Sequence, residues 1–318
     1  MEEAEARLVP QSSDLVAVGL RYERIGSFDR ALALYRAVAE EAPDGMSRAE
    51  ALRRQSDVFR RQADWRRAMA AARASGEVAK ACGSAEQFAE ALNAEGAVQL
   101  ACGGADLGVS CFEAVLRTAA DRRIRGLALQ NLGCVATVRR DAEAARLLFR
   151  ESYRAFTRAD YAHGAAIAVA NDGAVAVIAG EFELAERICE RAIRLARRTD
   201  DLTLEATARR NYAEALIAQR KDLDVAELRL VAALGFFTGT GNARRVISCL
   251  QLVGDLYVAR DQPGRAIRPY RRAWLLAREI GQPQQRRFAA AKLAALGYSV
   301  RDPEPTAMDP IDDLPLHH

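Results

Sequence analysis

The stretch that decides the fold is residues 15–43, LVAVGLRYERIGSFDRALALYRAVAEEAP. Apolar residues recur in it at intervals of three and four, the period of an amphipathic helix, and the turn IGSF interrupts them after Arg24. Gly19 lies before this turn, and Ala31 follows twelve residues later. Small residues at such positions let two antiparallel helices cross closely, so the stretch predicts a helical hairpin.

This pattern of paired small residues recurs along the chain, with the second member twelve or thirteen residues after the first. The seven pairs are Gly19 with Ala31, Ser56 with Ala68, Gly96 with Gly108, Gly133 with Ala145, Gly173 with Ala185, Ala213 with Ala226, and Gly254 with Ala266. Four residues beyond each second member lies a further packing position, occupied by Tyr35, Ala72, Phe112, Phe149, Cys189, Leu230 and Tyr270. Successive pairs are 37 to 41 residues apart, which predicts a solenoid of stacked hairpins.

The first unit resembles the tetratricopeptide repeat, although it lacks the initial Trp and its aromatic residues differ. The matching positions are Leu15, Val18, Gly19, Tyr22, Ala31, Tyr35 and Pro43. The long units are similar to those of kinesin light chains, of the Leu-Gly-Asn-repeat spindle-orientation adaptors and of bacterial regulatory proteins. The resemblance covers residues 12–280 and implies an all-α, right-handed superhelical solenoid of about seven antiparallel hairpins.

The repeat also predicts how the chain is divided. We expect an N-terminal extension at 1–11, a solenoid at 12–298 and a disordered acidic tail at 299–318. The expected hairpins are 12–45, 46–83, 84–121, 122–160, 161–201, 202–241 and 242–282, followed by a capping helix at 283–298. Ser47 with Glu50, and Ser84 with Gln87, are interpreted as capping boxes at helix starts.

Composition indicates a cytoplasmic protein without a cofactor or metal. The six cysteines form no CxxC pair, and His163 is the sole histidine before the last two residues, which argues against a zinc site. We interpret Cys134, Cys189 and Cys249 as apolar core residues. The acidic start has no secretory signal, and no apolar run is long enough to insert into a membrane.

The formal net charge of +3 combines a basic body with an acidic tail. Residues 1–300 hold 45 basic and 38 acidic side chains, and we interpret this surplus as spread over a long surface. Such a surplus favours an acidic partner and argues against nucleic acid. The tail motif DPIDDLPL either occupies a basic groove of the solenoid or belongs to a plain disordered end.

Asparagine side chains are the first candidate partner-binding residues. Asn131, Asn171 and Asn211 each stand two residues before the small residue of their hairpin, whereas Asn93 stands three before it. The resemblance to kinesin light chains and the spindle-orientation adaptors implies that such asparagines hold the main chain of a bound peptide. The alternative is that these amides bridge neighbouring first helices and never contact a ligand.

Arginines are the second candidate group, on the corresponding helix faces. Arg53, Arg54, Arg61 and Arg210 are suited to charge-assisted hydrogen bonds with carboxylates of a partner. The alternative is a solvated arginine face in an arginine-rich chain.

These features predict a non-enzymatic scaffold or adaptor that binds a protein or peptide segment in its concave groove. No HExxH, GxSxG or GxxxxGK[ST] motif occurs. One alternative is a bacterial peptide-sensing regulator, although such regulators usually carry an added N-terminal domain, for which residues 1–11 are too short. An accessory subunit of a larger assembly, an RNA-binding helical array and a homo-oligomer are also compatible with the sequence.

Overall fold

The computed structural model describes residues 12–298, and within them the chain is all-α with fifteen helices packed in sequential hairpins. The helices are α1 (Ser12–Arg24), α2 (Phe28–Glu41), α3 (Gly45–Arg61), α4 (Trp65–Ala81), α5 (Ala85–Ala101), α6 (Ala105–Thr118), α7 (Arg122–Val138), α8 (Ala142–Arg158), α9 (Ala162–Ile178), α10 (Phe182–Arg198), α11 (Leu202–Gln219), α12 (Leu223–Gly239), α13 (Ala243–Ala259), α14 (Pro263–Glu279) and α15 (Pro283–Ala295). The predicted all-α hairpin fold is confirmed. The expected extension at 1–11 and acidic tail at 299–318 lie outside the described residues.

The chain forms two compact units. Unit 1 runs to Val175 and also includes Arg198–Asp201, and unit 2 comprises Ala176–Arg197 and the residues from Leu202 onward. Among α1–α8 of unit 1, the odd-numbered helices contact one another, whereas each even-numbered helix contacts only its neighbours along the chain. The odd-numbered helices therefore form the inner layer of this unit. In unit 2, α13 likewise contacts both α11 and α15.

The first small residue of a hairpin makes room for the side chain at the packing position of the second helix. In four hairpins a glycine faces an aromatic ring, and a Cβ atom on that glycine would come within 2.3 to 2.6 Å of the ring. These pairs are Gly19 with Tyr35, Gly96 with Phe112, Gly133 with Phe149, and Gly254 with Tyr270. Because interiors are closely packed, glycine and ring complement each other in volume and set the helix crossing.

The two predicted capping boxes have different outcomes. Ser84 is the N-cap of α5, and its hydroxyl accepts a hydrogen bond from the backbone N–H of Gln87 at 3.3 Å, but the return bond of a capping box is not made, because Gln87 Oε1 has no hydrogen-bond partner in the described chain. The prediction for Ser47 was wrong, because α3 begins at Gly45 and Asp44 is its N-cap. The Asp44 carboxylate accepts the Ser47 backbone N–H at 2.7 Å, a strong cap that starts the helix earlier.

The core of each unit consists of small, branched and aromatic apolar residues between the helix layers. Cys189 and Cys249 are fully buried, and Cys134 is half-buried. Between residues 12 and 298, none of the helices combines the length and apolarity needed to span a membrane.

Candidate functional site

The candidate site lies on the inner layer of unit 1, where polar residues recur in one column of helix positions. This polar column consists of the positions two and three residues before the first small residue of each hairpin. Its polar members in unit 1 are Arg53, Arg54, Asn93, Gln130, Asn131 and Asn171, and its other positions hold Val16, Ala17, Ala94 and Ala170. Two predicted residues, Arg210 and Asn211, belong to unit 2 and are separate from this group.

An amide pair joins α5 and α7, the first two inner helices that carry asparagine or glutamine in the column. The Asn131 Nδ2 donates a hydrogen bond to Asn93 Oδ1 at 3.1 Å. Asn93 is buried, whereas Asn131 is half-buried. The alternative in which the amides bridge neighbouring helices is therefore observed for this pair. Among the described residues, one amide hydrogen and the amide oxygen of Asn131 remain without a hydrogen bond.

Asn171 occupies the same column position on α9 and is also half-buried. Within the described part of the chain its amide has no hydrogen-bond partner. The adjacent Asp172 is occupied, because its carboxylate contacts Arg146 Nε at 3.0 Å and Arg150 Nε at 3.9 Å. Asn171 thus keeps its full donor and acceptor capacity for another molecule.

A chain of charges bridges α3, α5 and α7 beside the amides. Arg53 Nε lies 2.8 Å from Glu90 Oε2, and Arg123 Nη2 contacts the other oxygen of the same carboxylate. The Glu90 side chain is only 2% exposed. Burial alone would raise the pKa of Glu90, but Arg53 and Arg123 outweigh it and hold that pKa below its ordinary value.

Arg54 and Arg61 of α3 are also paired with carboxylates of the chain. Arg54 Nη2 lies 3.3 Å from Glu50 Oε1, and Arg61 Nη2 lies 3.7 Å from Glu23 Oε2. Burial would lower the pKa of Arg54, but Glu23 and Glu50 outweigh it and raise that pKa. The Arg61 guanidinium also lies over the Phe28 ring, 5.9 Å from its centroid. Neither arginine is simply solvated.

Asp57 completes this charged network at the centre of α3. Burial would raise its pKa, but the surrounding guanidinium groups hold the pKa below its ordinary value. These groups are Arg60, Arg53, Arg54 and Arg61. Five arginines, including Arg123, thus face four carboxylates that are buried or half-buried, namely Glu23, Glu50, Asp57 and Glu90. The exposed Glu86, 3.8 Å from Arg123 Nη2, is a fifth carboxylate, so the positive and negative charges of the network balance.

The predicted residues of unit 2 are arranged differently. Arg210 Nη1 donates to Asn211 Oδ1 at 2.8 Å, and its Nη2 donates to Glu214 Oε2 at 2.7 Å. Asn211 is only 3% exposed. Its amide therefore offers less to a ligand than the half-buried amides of unit 1.

The sequence analysis missed the carboxylates that pair with the predicted arginines. Glu50 and Glu90 both stand six residues before the first small residue of their hairpins, Ser56 and Gly96. These positions lie three and four residues, about one helical turn, before the polar column and so on the same face. A search for acidic residues at this spacing would have found both.

Chemically, the inner layer of unit 1 offers amides beside a network of paired arginines and carboxylates. Amide groups can bond the main chain of an extended peptide whatever its sequence. Guanidinium groups add strong, directional bonds to a carboxylate. Among the described residues, no cluster of three or more His, Cys, Asp or Glu side chains is placed to hold a metal ion.

No protein-family model matches the chain, and no curated protein matches its sequence. Solved structures match it in fold. A Rap conjugation gene regulator of the plasmid pLS20, in complex with the Phr* peptide, has a TM-score of 0.68 and 16% identity, with 89% of this chain and 80% of that chain covered. A Rap protein complexed with competence and sporulation factor has a TM-score of 0.66 and 14% identity, covering 86% of this chain and 76% of that chain.

Aspartyl phosphate phosphatase F from Bacillus subtilis matches with a TM-score of 0.59 and 14% identity, covering 92% of this chain and 73% of that chain. At identities this low, the likenesses establish the fold alone. The chain has the fold of sequential, TPR-like helical hairpins that its repeat predicted.

Proposed function

We propose that the inner layer of unit 1 binds an extended peptide segment of a partner protein. The observation that carries this proposal is the half-buried Asn171, whose amide has no partner among the described residues, in one column with the Asn93 and Asn131 pair. A polar side chain on an inner helix face that lacks a partner within its own fold is suited to a ligand.

The guanidinium groups beside the amides favour a segment with a carboxylate, which can share them with the chain's own carboxylates. Arg54 and Arg123 are the arginines we assign to this carboxylate, because they belong to the charged network beside the amides. The structural neighbour solved in complex with the Phr* peptide supports a peptide as the kind of ligand. A scaffold or adaptor role and a cytoplasmic location belong to the same proposal.

We assign no catalytic activity to the chain. The phosphatase named among the structural neighbours shares only the fold with it. Function on a shared fold depends on the site, and the polar column contains groups for binding rather than an activated nucleophile.

A peptide selection tests the proposal. Random twelve-residue peptides are selected by display on the purified protein, and the affinity of the enriched peptides is measured by fluorescence anisotropy. We expect Asn171→Ala to weaken binding about two- to tenfold, the value of one net hydrogen bond, with unchanged helicity. Gln284→Ala, which removes an exposed helical amide in unit 2, is the matched control and should leave binding unchanged.

The ligand side provides a second readout. Changing the acidic residue of an enriched peptide to its amide should weaken binding by about tenfold, because a bond to a charged group is stronger. Equal affinity of wild type and Asn171→Ala for every enriched peptide would place the site elsewhere. Failure to enrich any peptide would contradict peptide binding itself.

A further inference from the structure

The basic character of the chain is concentrated in its last three helices. Residues 241–298 hold eleven basic and three acidic side chains, whereas residues 1–240 hold 34 basic and 35 acidic ones. The interpretation of a surplus spread over a long surface was therefore wrong. All of the surplus lies in α13, α14 and α15 and the turns between them.

The arginines of α14 form a stripe on its exposed side. Arg265, Arg268 and Arg272 are spaced by three and four residues, so they follow one another on adjacent turns of the same face. Arg271 borders this stripe and is exposed. On the adjoining α15, Arg286 and Arg287 are also exposed. We call these six arginines the basic surface.

Three arginines of this surface have no neutralising partner in the described part of the chain. Among the described residues, Arg271, Arg286 and Arg287 form no ion pair. Of the three acidic side chains nearby, Asp255 contacts Lys292 Nζ at 2.6 Å and Asp261 contacts Arg220 Nη2 at 3.0 Å. Both are thus engaged by cations outside the basic surface.

The described part of the chain ends at Tyr298, beside this surface. Three residues connect α14 to α15, and the two helices pack against each other, so they are antiparallel. Leu293 near the end of α15 lies in one apolar cluster with Ala266 and Tyr270 from the first half of α14, and Tyr298 packs on the same cluster. The end of α15 is therefore next to the half of α14 that carries the arginine stripe.

The segment that follows has the opposite charge. Residues 299–318, which the structure does not describe, hold five acidic side chains and only Arg301 as a basic one. Asp302 is four residues beyond Tyr298, within about 14 Å of it when the chain is extended. The stripe from Arg265 to Arg272 spans about 10 Å along the helix. The acidic side chains can thus reach the arginines without any long connection.

We propose that the acidic segment 302–313 docks on the basic surface of α14 and α15 as an intramolecular ligand. Guanidinium groups pair strongly with carboxylates, and the tether gives the segment an effective concentration in the millimolar range. The acidic segment thereby covers the basic surface, and an external acidic partner has to displace that segment to bind there. This inference is independent of the peptide site proposed on unit 1.

Arginine reactivity in the full chain tests the proposal. Wild type is compared with a variant in which the five carboxylates are amides, made by Asp302→Asn, Glu304→Gln, Asp309→Asn, Asp312→Asn and Asp313→Asn. Phenylglyoxal modification is followed at each arginine by peptide mass spectrometry. Arg66 on α4 is exposed and serves as the internal reference.

We expect Arg271 and Arg287, relative to Arg66, to react at least about threefold more slowly in wild type than in the amide variant. Salt at about 0.5 M should remove the difference, because exposed charge pairs are screened. A synthetic peptide of residues 299–318, added to the amide variant, should restore the protection, whereas its all-amide version should not.

Equal relative rates in both proteins would overturn the proposal. A duplex DNA column gives the alternative outcome. If the rates are equal, and the column retains wild type but not the Arg271→Glu, Arg287→Glu double variant, the proposal is overturned and the surface is assigned to an external polyanion.

Discussion

Glu90 is the residue whose replacement most directly tests the charged network of unit 1. Its carboxylate is bound by Arg53 and Arg123 from the two flanking inner helices, and its side chain is 2% exposed. Glu90→Gln keeps the shape of the side chain but removes the charge that both guanidinium groups share. The variant therefore leaves two partly buried cations without their principal partner.

The expected cost follows from the exposure of the two arginines. Removing one partner of a buried ion pair costs about 3–5 kcal/mol, because the remaining charge is uncompensated. Here Arg123 is 28% exposed and also lies 3.8 Å from Glu86, and Arg53 lies 3.5 Å from Glu50. These secondary partners reduce the loss to about 2–3 kcal/mol, or a melting temperature lower by about 4–12 °C.

The pH dependence separates this ionic contribution from packing. Because the pKa of folded Glu90 lies below its ordinary value of 4.5, its stabilisation is fully present above that value and is lost as pH falls through the folded-state pKa. The stability difference between wild type and Glu90→Gln should be constant between about pH 6 and 8 and should shrink below about pH 4.5.

Thermal and urea unfolding, followed by circular dichroism at several pH values, measures both effects. Glu151→Gln changes an exposed glutamate of α8 that forms no ion pair in the described chain, and it should change stability by less than about 0.5 kcal/mol. A Glu90→Gln protein as stable as this control at neutral pH would refute the reasoning. So would a stability difference that persists unchanged in acid.

Two other expectations concern packing and thiol reactivity. In urea titrations, Gly133→Ala should lower the free energy of unfolding by about 1–3 kcal/mol, because its Cβ would come within 2.6 Å of the Phe149 ring. Gly235→Ala, with no atom within 4 Å of its Cβ, should instead stabilise helix α12 by about 0.5–1 kcal/mol in the same titrations. Burial raises the pKa of Cys249 to about 12, so under native conditions at pH 8 a disulfide reagent should modify the exposed Cys82 and leave Cys249 intact; equal rates at the two thiols would contradict the buried placement of Cys249.

The fold could be predicted because its determinants are local and periodic. Small residues at fixed spacing mark each hairpin, and the side chain sixteen residues after Gly133 fills the space that glycine leaves. The residue at which a helix begins depends on which of several nearby N-cap candidates is used, and this explains the error at Ser47. Asp44 stands three residues earlier and is also a good N-cap, and only the backbone shows which of the two begins the helix.

The candidate site was predicted less completely, for a different physical reason. The column position of Asn131 follows from the repeat, but its bond to Asn93 depends on how two hairpins stack. The same holds for Glu90, whose partners lie 37 residues before it and 33 after it. Side-chain pairs between hairpins join positions with no fixed spacing, so residue types alone did not show that the arginines were already paired.

The contrast between α3 and α13 bears on why the inner layer of unit 1 is polar. At the column position where α3 has Arg54, α13 has Leu252, which is 6% exposed within the large apolar core of unit 2. The same fold therefore accepts an apolar residue there, and buried ion pairs are seldom more stabilising than apolar residues of similar volume. Stability alone does not require the arginine, which is paired with Glu50, or the unpartnered amide of Asn171, and the proposed peptide ligand would account for both.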